Sequence, residues 1–106
     1  MNIVFGVKSH DLNEARRWAE AATGLVGVYG DHMDMGGEYF KFVTVPPRSI
    51  ILQNNVDIVT GEPFTSSAFE AWELIFSLGS NGHGSPYTAA LLAAPTRFTF
   101  LGEMEL

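Results

Sequence analysis

The stretch from Asp11 to Gly24 constrains the fold more than any other. Asp11-Leu12-Asn13-Glu14 is an Asp-x-x-Glu form of the capping box, with a carboxylate for the first free amides of a helix and Glu14 placed to reach back. Leu12, Ala15, Ala19 and Ala22 then recur at helical spacing and form a narrow stripe of small residues, so the helix can sit close against a sheet. Gly24 ends it, and Leu25 is the apolar residue expected just past a glycine C-cap. A strand precedes it. Asn2 to Lys8 sets Ile3, Phe5 and Val7 against Val4 and Gly6, apolar on both faces, which marks a central strand.

The rest of the chain continues in strands. Leu25 to Tyr29 reads as a second strand, followed by a loop from Gly30 to Gly37. Glu38 to Val45 places Tyr39, Lys41, Val43 and Val45 on one face and Phe40, Phe42 and Thr44 on the other. Pro46-Pro47 breaks that strand, and Ser49 to Gln53 resumes as a fourth, running into Asn54-Asn55. Residues 60–67 are a loop by composition. The stretch 67–78 has two readings: a helix capped by Ser67 and Glu70, or a strand with Trp72, Leu74, Phe76 and Leu78 in alternation, and the alternation favours strand. Ser85-Pro86 starts a second helix reaching about Ala93, and Arg97 to Leu101 closes with a strand. The expected fold is α+β: a single layered domain over residues 1–106, in βαβββ-βαβ order, with a largely antiparallel sheet and helices on one face.

Composition supports one such domain. A chain of 106 residues, 46% hydrophobic and 17% charged, buries about 65% of its unfolded surface in a single core. Cysteine is absent, so disulfides and thiolate metal sites are excluded and a reducing cytoplasm fits. No basic leader precedes the first apolar residues, and Ala89 to Ala94 is too short to span a bilayer, so no membrane partner is expected. Six basic residues stand against 12 acidic ones. Between Arg48 and Arg97 there is no Lys or Arg, whereas Asp57, Glu62, Glu70 and Glu73 all fall there. Such a field repels nucleic acid and steers a basic partner in; it also serves plain solubility.

Chemistry is hard to assemble from these residues. His10, His32 and His83 lack the spacing of a dedicated zinc site. The βαβββ order matches half a vicinal-oxygen-chelate (glyoxalase-like) module, which nominates His10 and Gln53 as ligands of a small-molecule or metal binder acting as a dimer. That alternative needs a second module for a competent site. The Gly79 to Ser85 segment lacks the Gly-Lys-Ser/Thr ending of a phosphate loop, and no Gly-x-Ser-x-Gly elbow positions a serine. The expectation is no enzyme, no cofactor and no metal. What remains is a recognition pattern. Asp31, His32, Asp34, Glu38 and Tyr39 gather around the second loop, and Asn54, Asn55, Asp57, Glu62 and Phe64 around the end of the fourth strand. They are the candidate partner-binding residues, set against the plain alternative of solvated loops and core aromatics. Self-association is a third possibility.

One family is similar in short motifs taken in order. Leu12-x-Glu14-Ala15, Thr23-Gly24-Leu25, Gly36-Gly37-Glu38-Tyr39-Phe40, Ile51-Leu52-Gln53-Asn54-Asn55-x-Asp57 and Gly61-Glu62 resemble small bacterial immunity proteins of polymorphic toxin and contact-dependent growth inhibition systems. The segment Asp31-His32-Met33-Asp34 departs from the His-Glu-Ser-Ser-Tyr-like pattern of that family. The resemblance implies a cytoplasmic inhibitor whose partner is a cognate toxin domain, basic and often a nuclease, with its active site or substrate surface occluded.

Overall fold

The computed structural model describes residues 1–45, 48–79 and 85–106; Pro46-Pro47 and the glycine-rich connection with His83 lie outside the described residues. In chain order the elements are β1 (Asn2–Val7), α1 (Leu12–Thr23), β2 (Gly27–His32), β3 (Gly37–Phe42), β4 (Ile50–Asn54), β5 (Leu74–Leu78), α2 (Pro86–Leu92) and β6 (Phe98–Met104). Single 3₁₀ turns lie at Met33–Met35 and Ser67–Phe69. The strands form one antiparallel sheet in the order β2-β3-β4-β5-β1-β6. This is the α+β architecture expected from the sequence.

Alternation decides which residues enter the core. Phe5 and Val7 of β1, Phe40 and Phe42 of β3, Leu52 of β4 and Phe76 of β5 meet Ala15 and Ala19 of α1 and Leu91 of α2 in one cluster. Phe42 and Phe76 meet edge to face at 5.2 Å, and Phe76 and Phe98 at 6.3 Å, the offset geometry that ring quadrupoles prefer. On the opposite face Val4 and Ile75 are fully buried as well. The cover there comes from the connection between β4 and β5, whose Trp72 ring lies flat on Gly6. A Cβ at Gly6 would fall 2.4 Å from that ring, so only glycine admits it.

α1 begins as its sequence predicts, with one change. Asp11 Oδ1 accepts from the amides of Asn13 at 2.8 Å and Glu14 at 3.2 Å. Glu14, however, does not close the box on Asp11. Ser9 stands between them, its Oγ accepting from the Asp11 amide at 3.1 Å and donating to Glu14 Oε1 at 2.8 Å. Gly24 closes the helix with φ 72°.

Several boundaries move. β2 lies at 27–32 and not at 25–29, because the pairing of Asp31 with Glu38 and His32 with Gly37 carries its ladder into the expected loop. The stretch 67–78 divides into the turn at Ser67–Phe69 and the strand Leu74–Leu78. β6 runs on to Met104 because β1 pairs with it from Asn2 onward, across a register shift at Val4/Phe5. The register places the C-terminal ends of β1, β2 and β4 and the N-terminal ends of β3, β5 and β6 at one end of the sheet. Among the described residues no helix is long and apolar enough to cross a membrane.

Candidate partner-binding surface

Both groups of residues singled out in the sequence belong to that one end of the sheet, and the fold joins them. Asn54 Nδ2 reaches the carbonyls of Gly36 at 3.4 Å and Glu38 at 3.5 Å. Gly36, buried with φ 77°, sits so close that a Cβ would lie 2.8 Å from the Val56 carbonyl and 3.1 Å from Phe64 Cε2. The β2–β3 tip and the connection after β4 therefore make one continuous surface. Phe64 is half-buried at their junction.

The ten candidate residues divide by where their polar atoms point. Asp31, His32, Asp34, Glu38 and Glu62 are exposed. His32 Nδ1 accepts from the Asp34 amide at 3.1 Å and lies 3.7 Å from Asp34 Oδ2. The hydroxyl of Tyr29 donates to Glu38 Oε1 at 3.0 Å. This bond, with further repulsion from the Glu38 and Asp31 charges, raises the Tyr29 pKa above its ordinary value of 10.0. The half-buried Tyr39 lays its ring across Gly30.

Three others turn inward. Asn55 is 7% exposed. Its Nδ2 donates to Thr65 Oγ1 and the Phe69 carbonyl, each at 3.1 Å, and its Oδ1 accepts from the Thr65 amide at 3.2 Å. Asp57 Oδ1 accepts from the Val59 amide at 2.9 Å, while its backbone bonds to Glu62 and Gly61 shape the turn. Asn54 is the bridge already described. These side chains build the surface and hold it in place.

Sequence reading missed the apolar half of this end. Met33, Ile58 and Val59 are 57%, 51% and 74% exposed, and Val56 is exposed beside them. Apolar residues flanked by carboxylates and outside any strand were the available signal. Ile58 Cδ1 lies 3.7 Å from a Cβ built on Gly37, so the two loops meet on this side too. Exposed Met33, Ile58 and Val59 therefore lie at the same end of the sheet as Asp31, Asp34, Glu38 and Glu62, with Ile58 beside Gly37 on the face away from the helices and Asp31 and Glu38 on the helix face.

His10 and Gln53 do not come together as ligands. His10 is exposed, with Nδ1 3.0 Å from Glu73 Oε1. Gln53 is buried on β4, and β5 separates that strand from β1. Among the described residues no group of three His, Cys, Asp or Glu side chains is placed to hold a metal ion. Hollows of about 380 and 420 Å³ flank Trp72. One is lined by Asn54, Asn55 and Glu70, the other by Ser9, His10 and Glu73.

The chain is a small α+β sheet protein that gathers carboxylates and exposed aliphatic side chains at one end of its sheet. No family model, curated protein or solved structure matches the chain.

Proposed function

We propose that this chain is an immunity protein that binds a cognate bacterial toxin domain, a basic nuclease domain, and occludes its active site or substrate-binding surface in the cytoplasm. The observation that carries the reading is the joined β2–β3 tip and post-β4 connection, which brings the carboxylates of Asp31, Asp34, Glu38 and Glu62 and the exposed Met33, Ile58 and Val59 to one end of the sheet. A nuclease groove is basic because it holds phosphates. A surface of carboxylates associates with it quickly under electrostatic steering, while a few desolvated apolar anchors set the dissociation rate. The ordered motif similarity supports the same reading.

Co-expression with the C-terminal domain encoded immediately upstream tests it. The expected result is toxicity of that domain alone, rescue by this chain and a complex that co-purifies. A domain that is harmless alone, or that forms no complex, contradicts the proposal.

A further inference from the structure

β2 is an edge strand, and its hydrogen-bonding pattern shows which backbone groups face outward. The Val43 amide donates to the Val26 carbonyl at 3.3 Å, which marks Val26–Val43 as a hydrogen-bonding position of the ladder. Alternation along the antiparallel register then turns Val28, Gly30 and His32 toward β3 and turns Gly27, Tyr29 and Asp31 outward. The outward Gly27 amide is already taken, donating to Glu20 Oε2 of α1 at 3.0 Å. The amides and carbonyls of Tyr29 and Asp31 have no protein partner among the described residues.

The two sheet edges differ in protection. β6 carries a register shift against β1. β2 pairs with β3 without a shift, contains no proline or lysine, and leaves Val28 and Tyr29 about half exposed. Regular, unblocked edges of this kind are templates for another strand. Beside it, on the face away from the helices, is a shallow groove of about 370 Å³ whose lining includes Val28, Tyr39 and Val43 together with the cationic Lys41 and Arg48, so it suits the apolar and not the basic side chains of a segment laid along the edge. On the helix face the side chains next to the edge are Tyr29, Asp31 and Glu38.

The geometry points to β2 as a strand-addition site for the partner: an extended segment pairs with Tyr29 and Asp31, its Lys or Arg side chains toward Asp31 and Glu38 and its alternate apolar side chains in the groove over Val28. Main-chain bonds supply affinity in such additions, and the alternating side chains supply specificity. Glu20 on the Gly27 amide ends the added ladder, so the segment is short. A second copy of this chain is a poor occupant, since each copy carries a net charge of −6 and the pairing would bring Asp31 and Glu38 of both copies together. The inference takes the partner's identity from the proposed toxin binding, and it concerns where and how that partner docks.

The test uses the isotope-labelled full chain and a capped peptide of alternating Lys and Val. The amides of Tyr29 and Asp31 are expected to exchange at least tenfold more slowly with the peptide bound, and that of Gly27 to be unchanged. Asp31→Pro removes an outward amide without removing a ladder bond to β3, and is expected to weaken peptide binding at least tenfold, whereas Asp31→Asn weakens it less. N-methylation of every second peptide amide should abolish binding to the unaltered chain. Unchanged exchange at Tyr29 and Asp31, or equal binding of a peptide with all Lys at one end, overturns the inference. So does protection of these amides in the absence of peptide together with a concentration-dependent mass, which would assign the edge to a second copy. With the upstream-encoded domain, an Asp31→Pro affinity within twofold of the unaltered chain overturns strand addition and leaves the proposed function standing. If the unaltered chain does not bind that domain, the proposed function falls and the peptide result decides the edge.

Discussion

Replacing Asn55 by alanine probes how the contact surface is held. Just past the end of β4, the Asn55 amide group bonds to both Thr65 and the Phe69 carbonyl. Alanine leaves the Thr65 amide and the Phe69 carbonyl without that partner in a part-buried setting. The Phe69 carbonyl keeps the Trp72 amide at 3.0 Å, whereas the Thr65 amide is orphaned, at a cost of about 1–3 kcal/mol. Domains of this size unfold with about 5–15 kcal/mol. With a urea slope of about 2 kcal/mol per molar, the midpoint should fall by about 0.5–1.5 M. Chemical denaturation measures the global loss, and hydrogen exchange at the Thr65 amide separates it from local release of the connection. Thr65→Val, which removes only the hydroxyl, should lose about 1 kcal/mol. An Asn55→Ala midpoint within experimental error of the unaltered protein, with Thr65 exchange unchanged, would refute the reasoning.

Two further predictions follow from the same geometry. Gly6→Ala drives a Cβ into the Trp72 ring; the ring must lift, with a loss of about 1–3 kcal/mol and red-shifted tryptophan emission, and the loss should shrink in a Trp72→Ala background. Glu38→Gln removes the charge that holds the Tyr29 proton, so the Tyr29 ultraviolet titration should move down toward the ordinary tyrosine value. The sign for stability is fixed: the folded state keeps this proton to higher pH than the unfolded chain, so the contribution is present below about pH 10 and is lost as pH rises through the folded-state value.

The elements bounded by local chemistry were legible in the sequence. Asp11, Gly24, Ser85 and Pro86 mark helix ends because caps act within a few residues. The alternation of Phe40 and Phe42 with Tyr39 and Lys41 reads directly as inside and outside. What depended on distant pairing was not legible. The extension of β2 to His32 is set by Glu38 and Gly37 across the ladder. The period-two pattern from Trp72 to Leu78 hides a break at Glu73, since Trp72 lies on Gly6 outside the strand. Ser9 entered the cap because β1 delivers it there, which no helix rule anticipates.

The candidate residues were found for their chemistry, but their division was not visible. Asn55 and Asp57 read as surface amide and acid, yet both serve the internal turns of the connection. Met33, Ile58 and Val59 carry no polar group to single them out, and they are exposed because no strand carries them inward. Glu20 looked like any charge on a helix, and its hold on the Gly27 amide depends on the approach of α1 to β2.

The central claim is that the acidic end of the sheet receives a basic partner. Stopped-flow association of the upstream-encoded domain with the unaltered chain and with a combined Asp31→Lys, Asp34→Lys, Glu62→Lys variant, across a salt series, tests it most directly. Screening over a Debye length of about 10 Å at 0.1 M salt makes the effect largest at low salt. There the account predicts association at least tenfold slower for the variant, with a flattened salt dependence. An association rate at low salt that is the same for both proteins would contradict it.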